Sequence, residues 1–276
     1  PPPPYTSSAA SDVYKRQRGG RVKGAYTTLK KELLSYAVSP VSWIIAVLFY
    51  LVRGFELASI ALEFAVFRGD PNQFPSATYA AGSTFYMVLL VPGILTMRCF
   101  AEERRTGSIE TLMTAPVRDV EVVLGKWLAA AIFFAILWLP SVLVLHVLEY
   151  SPYFGADIAF GPVFSAYVGM FMLSGLLLAF GCFASSLTEN VLLAAIMTML
   201  FTGLLTQASR ILSQYVGELR NEYYMRELLG KLDVYGNFSN WFARGLVDTS
   251  HVAFYAGGIG FFLFLTWTSL TSRRQA

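Results

Sequence analysis

The densest concentration of chemically capable side chains is the run Arg98-Cys99-Phe100-Ala101-Glu102-Glu103-Arg104-Arg105-Thr106-Gly107-Ser108-Ile109-Glu110-Thr111-Leu112-Met113-Thr114-Ala115-Pro116. Long apolar stretches flank it. Charges are costly in hydrocarbon, so this segment belongs in water between two membrane spans. Glu102, Glu103, Arg104 and Arg105 extend the preceding helix as a polar end, and Gly107 interrupts it. Ser108 then opens a short helix with Glu110 in its first turn, where a carboxylate suits the positive end of the helix dipole. Ile109, Leu112, Met113 and Pro116 follow an i, i+3, i+4, i+7 spacing that puts them on one apolar face. Pro116 ends the helix. A short amphipathic helix rimmed by charge suits docking to another protein. The same residues also read as a plain solvated loop between spans.

A second charged feature, Arg53 and Glu56, interrupts an apolar run at i, i+3 and can pair on one helix face. An ionisable pair inside a span marks function by default; a structural salt bridge, or side chains reaching out to the interface, is the other reading. Cys99 and Cys182 stand singly in or beside apolar runs, with no CxxC pair or Cys/His cluster, so they read as small buried hydrophobes rather than metal ligands. His146, near the end of an apolar run, reads as an interfacial hydrogen-bonding group. Phosphate loops of the GxxxxGK[ST] type and the HExxH and GxSxG motifs are absent. No catalytic residue and no cofactor of the chain's own are expected, nucleic acid is not an expected partner, and any work would be powered from outside.

The elements that must position these groups are membrane helices. The chain has 276 residues, 55% hydrophobic and only 14% charged, with a mean hydropathy of +0.52. Soluble domains carry about 25% charged residues. Apolar runs of about 20 residues, enough to cross a bilayer, place six spans near 41–60, 79–100, 122–148, 163–184, 191–209 and 251–270. The fold expected is an all-α polytopic membrane protein. Residues 1–17 (PPPPYTSSAASDVYKRQ) read as a disordered leader foreign to the fold. Residues 18–39 form a basic amphipathic interfacial helix, with Tyr26, Leu29, Leu33, Tyr36 and Ala37 on one face. Residues 40–276 form the six-span domain. Pro92-Gly93 lies inside the second span, where it should kink the helix. Gly169, Ser174, Gly175 and Gly181 give the fourth span small residues for close packing, and Ser185–Asn190 is a tight turn into the fifth. Between Arg210 and Asp248 a polar connection begins as an amphipathic helix at the outer surface.

The run from Glu102 to Val117, acidic-acidic-basic-basic and then Gly-Ser-x-Glu-x-Leu with a following Pro, resembles the signature after the second span in membrane subunits of ABC type 2 exporters. Ser39-Pro40 before the first span is similar to the end of the family's elbow helix. Phe242-Ala-Arg-Gly245 with Asp248 is similar to a turn before its last span. It resembles the branch that includes permeases associated with gliding motility and copper delivery. This resemblance implies that Glu102, Glu103, Arg104, Arg105, Gly107, Ile109, Glu110, Leu112, Met113 and Pro116 form the element that contacts a separate ABC ATPase, which holds ATP and magnesium. It further implies a second permease subunit, in a homo- or heterodimer, and a place in the bacterial cytoplasmic membrane.

Charge distribution gives the orientation. With both termini in the cytoplasm, inside segments hold fourteen Lys/Arg and outside segments seven, five of those in the long connection before the last span. That satisfies the positive-inside rule. The leading expectation is a permease subunit coupling ATP hydrolysis by its partner to substrate export. The alternatives are a membrane scaffold for a surface machine that moves no substrate, and an integral-membrane enzyme acting on lipid-linked substrates. The enzyme would need a cluster of His, Asp, Glu or Cys at one interface, and the sequence does not assemble one.

Overall fold

A chain this apolar must satisfy its backbone within each segment, and it does so by forming helices. The structure, a computed structural model, describes residues 24–67, 78, 82–108, 117–149, 160–215 and 234–274. Among them every regular element is helical. In chain order these are α1 (24–38), α2 (Pro40–Phe67), α3 (Gly82–Thr96), α4 (Ala101–Arg105), α5 (Asp119–Glu149), α6 (Phe160–Leu187), α7 (Val191–Tyr215), α8 (Val234–Asn240), a 3-10 turn (Phe242–Arg244) and α9 (Thr249–Arg274).

Among the described residues five stretches are long and apolar enough to cross a membrane: Pro40–Glu63, Thr84–Arg105, Asp119–Val144, Gly161–Leu187 and Thr249–Ser272. The apolar part of α7, Val191–Gln207, is shorter. The leader at 1–17 and the polar connection at 216–233 lie outside the described residues. Helix α7 runs without interruption past the predicted end of its span at residue 209, through Arg210 to Tyr215.

Helix α6 is the central post. In its most apolar stretch 72% of residues are buried, against 11% in α9. Phe49, Phe85, Val88, Leu95, Phe134, Trp138, Met170, Leu173, Leu177 and Tyr255 form the main core around it. Small residues let neighbours come close: a side chain on Gly175 would press on Ile259 of α9, and one on Gly181 would collide with Thr96 of α3. In lipid such packing, rather than water exclusion, holds helices together. A smaller cluster of Cys99, Phe100, Val122, Val123, Cys182 and Leu270 sits at one end of the bundle.

Two details of the connections follow from local chemistry. Asn190 caps α7, its Oδ1 accepting the amides of Leu192 at 3.0 Å and Leu193 at 3.4 Å. Ser185 and Ser186 belong to the last turn of α6, which leaves only Thr188–Asn190 as the turn. Near the last span, Phe242–Arg244 makes a 3-10 turn closed by Gly245 at φ +91°, and Ser165 of α6 donates to the Phe242 carbonyl at 2.6 Å.

The Thr84–Arg105 stretch is broken. Helix α3 contains Pro92 and continues to Thr96; residues 97–100 are turn, and α4 resumes at Ala101. The interruption therefore falls beyond the Pro-Gly pair, at the end that carries the charge cluster.

Candidate functional site

The break at 97–100 strands backbone groups, and side chains from other elements take them up. The amides of Phe100 and Ala101, which open α4, both donate to Ser185 Oγ at 3.0 Å. The same hydroxyl donates to the Met97 carbonyl at 3.2 Å. Tyr36 of α1 donates its phenol to the Leu95 carbonyl at 3.1 Å; burial pushes the Tyr36 phenol well above its ordinary pKa. Thus α1 and α6 both fasten the interrupted span.

Lys126, near the start of α5, is the hub. Its side chain is only 2% exposed. An ammonium has three donors, and all three are used. Nζ reaches Glu32 Oε1 at 2.9 Å, Glu103 Oε1 at 2.9 Å and the Cys99 carbonyl at 2.8 Å. It also lies 5.2 Å from the centre of the Phe100 ring, a cation–π contact. One buried ammonium thereby joins α1, the break, α4 and α5. Two carboxylates share it, and exposed Lys31 stands 4.0 Å from Glu103.

The seating of α1 follows from these polar contacts. Thr28, Glu32 and Tyr36 turn towards the bundle, while Tyr26, Leu34 and Val38 are exposed. The apolar stripe read from the sequence is split, with Leu29 and Leu33 at its half-buried edge. Gly125 on α5 makes the approach possible: a Cβ there would stand 2.9 Å from the Thr28 Cβ.

Between α1, the start of α2, the end of α3 and α4 lies a cleft of about 380 Å³. Glu32, Ser42, Arg98, Cys99, Glu103 and Lys126 are among its walls. Of the charged residues singled out in sequence, Glu102 and Arg105 are on the outer side of α4, whereas Glu103 and Arg104 turn inward. Glu102 reaches back to exposed Arg98, at 3.9 Å, a pairing of little worth in water. Gly107 breaks the helix at φ +71°, a left-handed conformation that suits glycine, and Thr106 and Ser108 hydrogen-bond each other and the α4 carbonyls around it. Ile109, Glu110, Leu112, Met113 and Pro116 lie outside the described residues.

Arg53 and Glu56 form a separate centre. Their side chains are 3% and 6% exposed, and Nη1 lies 2.6 Å from Oε2. Thr84, in the first turn of α3, ties the pair to the second span. Its amide donates to Glu56 Oε1 at 3.0 Å, its hydroxyl donates to Oε2 at 2.7 Å, and Arg53 Nη1 donates to that hydroxyl. The guanidinium also sits 5.1 Å from the Trp138 ring of α5. Among the described residues no group of three or more His, Cys, Asp or Glu could hold a metal.

Residues 55–213 match the family described as ABC-2 family transporter protein, a stretch covering more than half of the chain. The chain belongs to this family. It is a permease subunit of an ABC transporter, a multi-pass membrane protein. A comparison with curated proteins finds no match. The family match includes the break, the charged turn, Lys126 and Ser185, while α1 precedes it. In the permease, sequence reasoning found the charged turn but missed Lys126, Glu32 and Ser185 as its anchors. A lysine four residues into an apolar run was the available signal for Lys126.

Proposed function

We propose that this permease couples ATP hydrolysis by a separate ABC ATPase to export of a substrate across the bacterial cytoplasmic membrane. In this reading α7 is the fifth of six spans and both termini are cytoplasmic. The connection before the last span lies outside, α1 is the interfacial elbow helix, and two permease subunits pair. On the resemblance of the charged turn we place it in the branch that includes gliding-motility and copper-delivery permeases. The observation that supports the reading best is the Lys126 hub. A push on the turn after α4 meets a unit already bonded to α1, α5 and α6, so the force reaches three helices rather than one loose loop. The exposed flank of Glu102 and Arg105, with Ile109, Leu112 and Met113 beyond it, would meet the ATPase.

The test is affinity purification of the permease from its host in mild detergent, with Ile109→Asp/Leu112→Asp alongside wild type. A stoichiometric ATPase with wild type that is lost with the variant, while membrane insertion is retained, is the expected result. An ATPase bound equally by both would remove the coupling assignment, and no ATPase at all would remove the transporter mechanism.

A further inference from the structure

Cys99 and Cys182 are both free, and their Sγ atoms lie 3.7 Å apart, in contact across the junction of the broken second span and α6. Cys182 is fully buried, whereas Cys99 is 5% exposed and lines the cleft beside the charged turn. Lys126 donates to the Cys99 carbonyl at 2.8 Å and so fixes the backbone that carries this thiol. We propose that these two thiols are an oxidisable dithiol, a modification site at which a hydroperoxide entering the cleft produces an intramolecular Cys99–Cys182 disulfide.

The division of labour follows from access. Cys99 Sγ attacks one peroxide oxygen as its proton passes to the other; the O–O bond breaks, and the departing oxygen leaves as water. Cys99 is then a sulfenic acid, which condenses with a neighbouring thiol. Cys182 Sγ attacks the Cys99 sulfur, the S–O bond breaks, and a second water leaves with the Cys182 proton. Two thiols and one hydrogen peroxide become one disulfide and two waters. The product is neutral, so a buried apolar site accommodates it without burying charge.

The location gives the modification a consequence. Cys99 belongs to the break at 97–100, and Cys182 precedes by three residues the Ser185 whose hydroxyl holds that break. Oxidation would replace a hydrogen-bonded catch with a covalent staple between the second span and α6. Reduction by a dithiol would release it.

The experiment treats the purified full chain in detergent with graded hydrogen peroxide. Remaining thiols are then alkylated and peptides mapped without reduction. The expected result is loss of two hydrogens and one cross-linked peptide pair containing Cys99 and Cys182. In Cys182→Ser the oxidation should stop at a Cys99 sulfenic acid that dimedone traps, and in Cys99→Ser the Cys182 thiol should survive. Exposed Met199 serves as the dose marker. Both thiols intact at a dose that converts Met199 to its sulfoxide would overturn the proposal, as would cross-links found only between separate chains.

Discussion

Lys126 Nζ stands 2.9 Å from Glu32 Oε1, a residue 94 positions earlier in the chain. Together with the Tyr36 phenol on the Leu95 carbonyl, the contact makes α1 part of the permease and not a helix merely adsorbed beside it. Because the same ammonium also holds Glu103 at 2.9 Å, α1 and the charged turn cannot move independently without giving up a bond to a nearly buried cation.

Replacement of that cation should therefore uncouple the two. Lys126→Met leaves two mostly buried carboxylates without their ammonium, and removing one partner of a buried pair costs about 3–5 kcal/mol. The expected outcome is a lower Tm in detergent and faster tryptic cleavage at Lys30 and Lys31. Adding Glu32→Gln and Glu103→Gln should recover much of the loss, because uncharged amides do not need the ammonium. Wild-type protease resistance in the single variant would show that the hub does not hold α1.

Ser185 invites a second test. Two amides converge on its hydroxyl at 3.0 Å each, and leaving a buried donor unsatisfied costs about 1–3 kcal/mol. Ser185→Ala should raise hydrogen exchange at Phe100 and Ala101 well above that of the α6 core, with a modest fall in Tm. If exchange at those two amides is unchanged, the break is held by its own turn geometry and not from α6.

These anchors explain which parts of the molecule could be read in advance. Apolar runs and turn residues carry their meaning locally, so the helices and the Asn190 start were legible, while the Phe242–Gly245 turn was expected from the family resemblance. Pro92-Gly93 drew attention to the second span, but the break came later, where Ser185 and Tyr36 supply partners for freed backbone groups. Those partners are 59 and 85 residues away in sequence, and no local pattern announces them. The face of α1 was misleading for a related reason. Its apolar residues define a stripe, yet its seating is set by Glu32 and Tyr36 finding a cation and a carbonyl on other helices.

Gly125 provides a steric handle on the same interface. A Cβ there already crowds Thr28, and Ala25 O lies 3.2 Å away. Gly125→Leu should push α1 off α5 while leaving every charged group of the hub present. Its tryptic pattern should resemble that of Lys126→Met, and combining the two should add little, since both act on one contact. A clearly additive loss would mean that α1 is held at two independent places.

The Arg53–Glu56 pair calls for a cycle rather than a single substitution. Both side chains are nearly inaccessible, and Thr84 binds both carboxylate oxygens through its amide and hydroxyl. Glu56→Leu leaves the buried guanidinium without its carboxylate, and Arg53→Met leaves the buried carboxylate without its guanidinium; each should cost about 3–5 kcal/mol. The double variant Arg53→Met/Glu56→Leu removes both charges and should be more stable than either single one, because the desolvation of a lone ion disappears with it. Tm in detergent for all four proteins measures this directly. If transport or ATPase stimulation falls in the double variant although its Tm recovers, the pair serves the transport cycle itself. If both recover together, it is a structural tie between the first and second spans. A double variant as unstable as the sum of the singles would show that the two residues do not depend on each other, against the geometry that Thr84 completes.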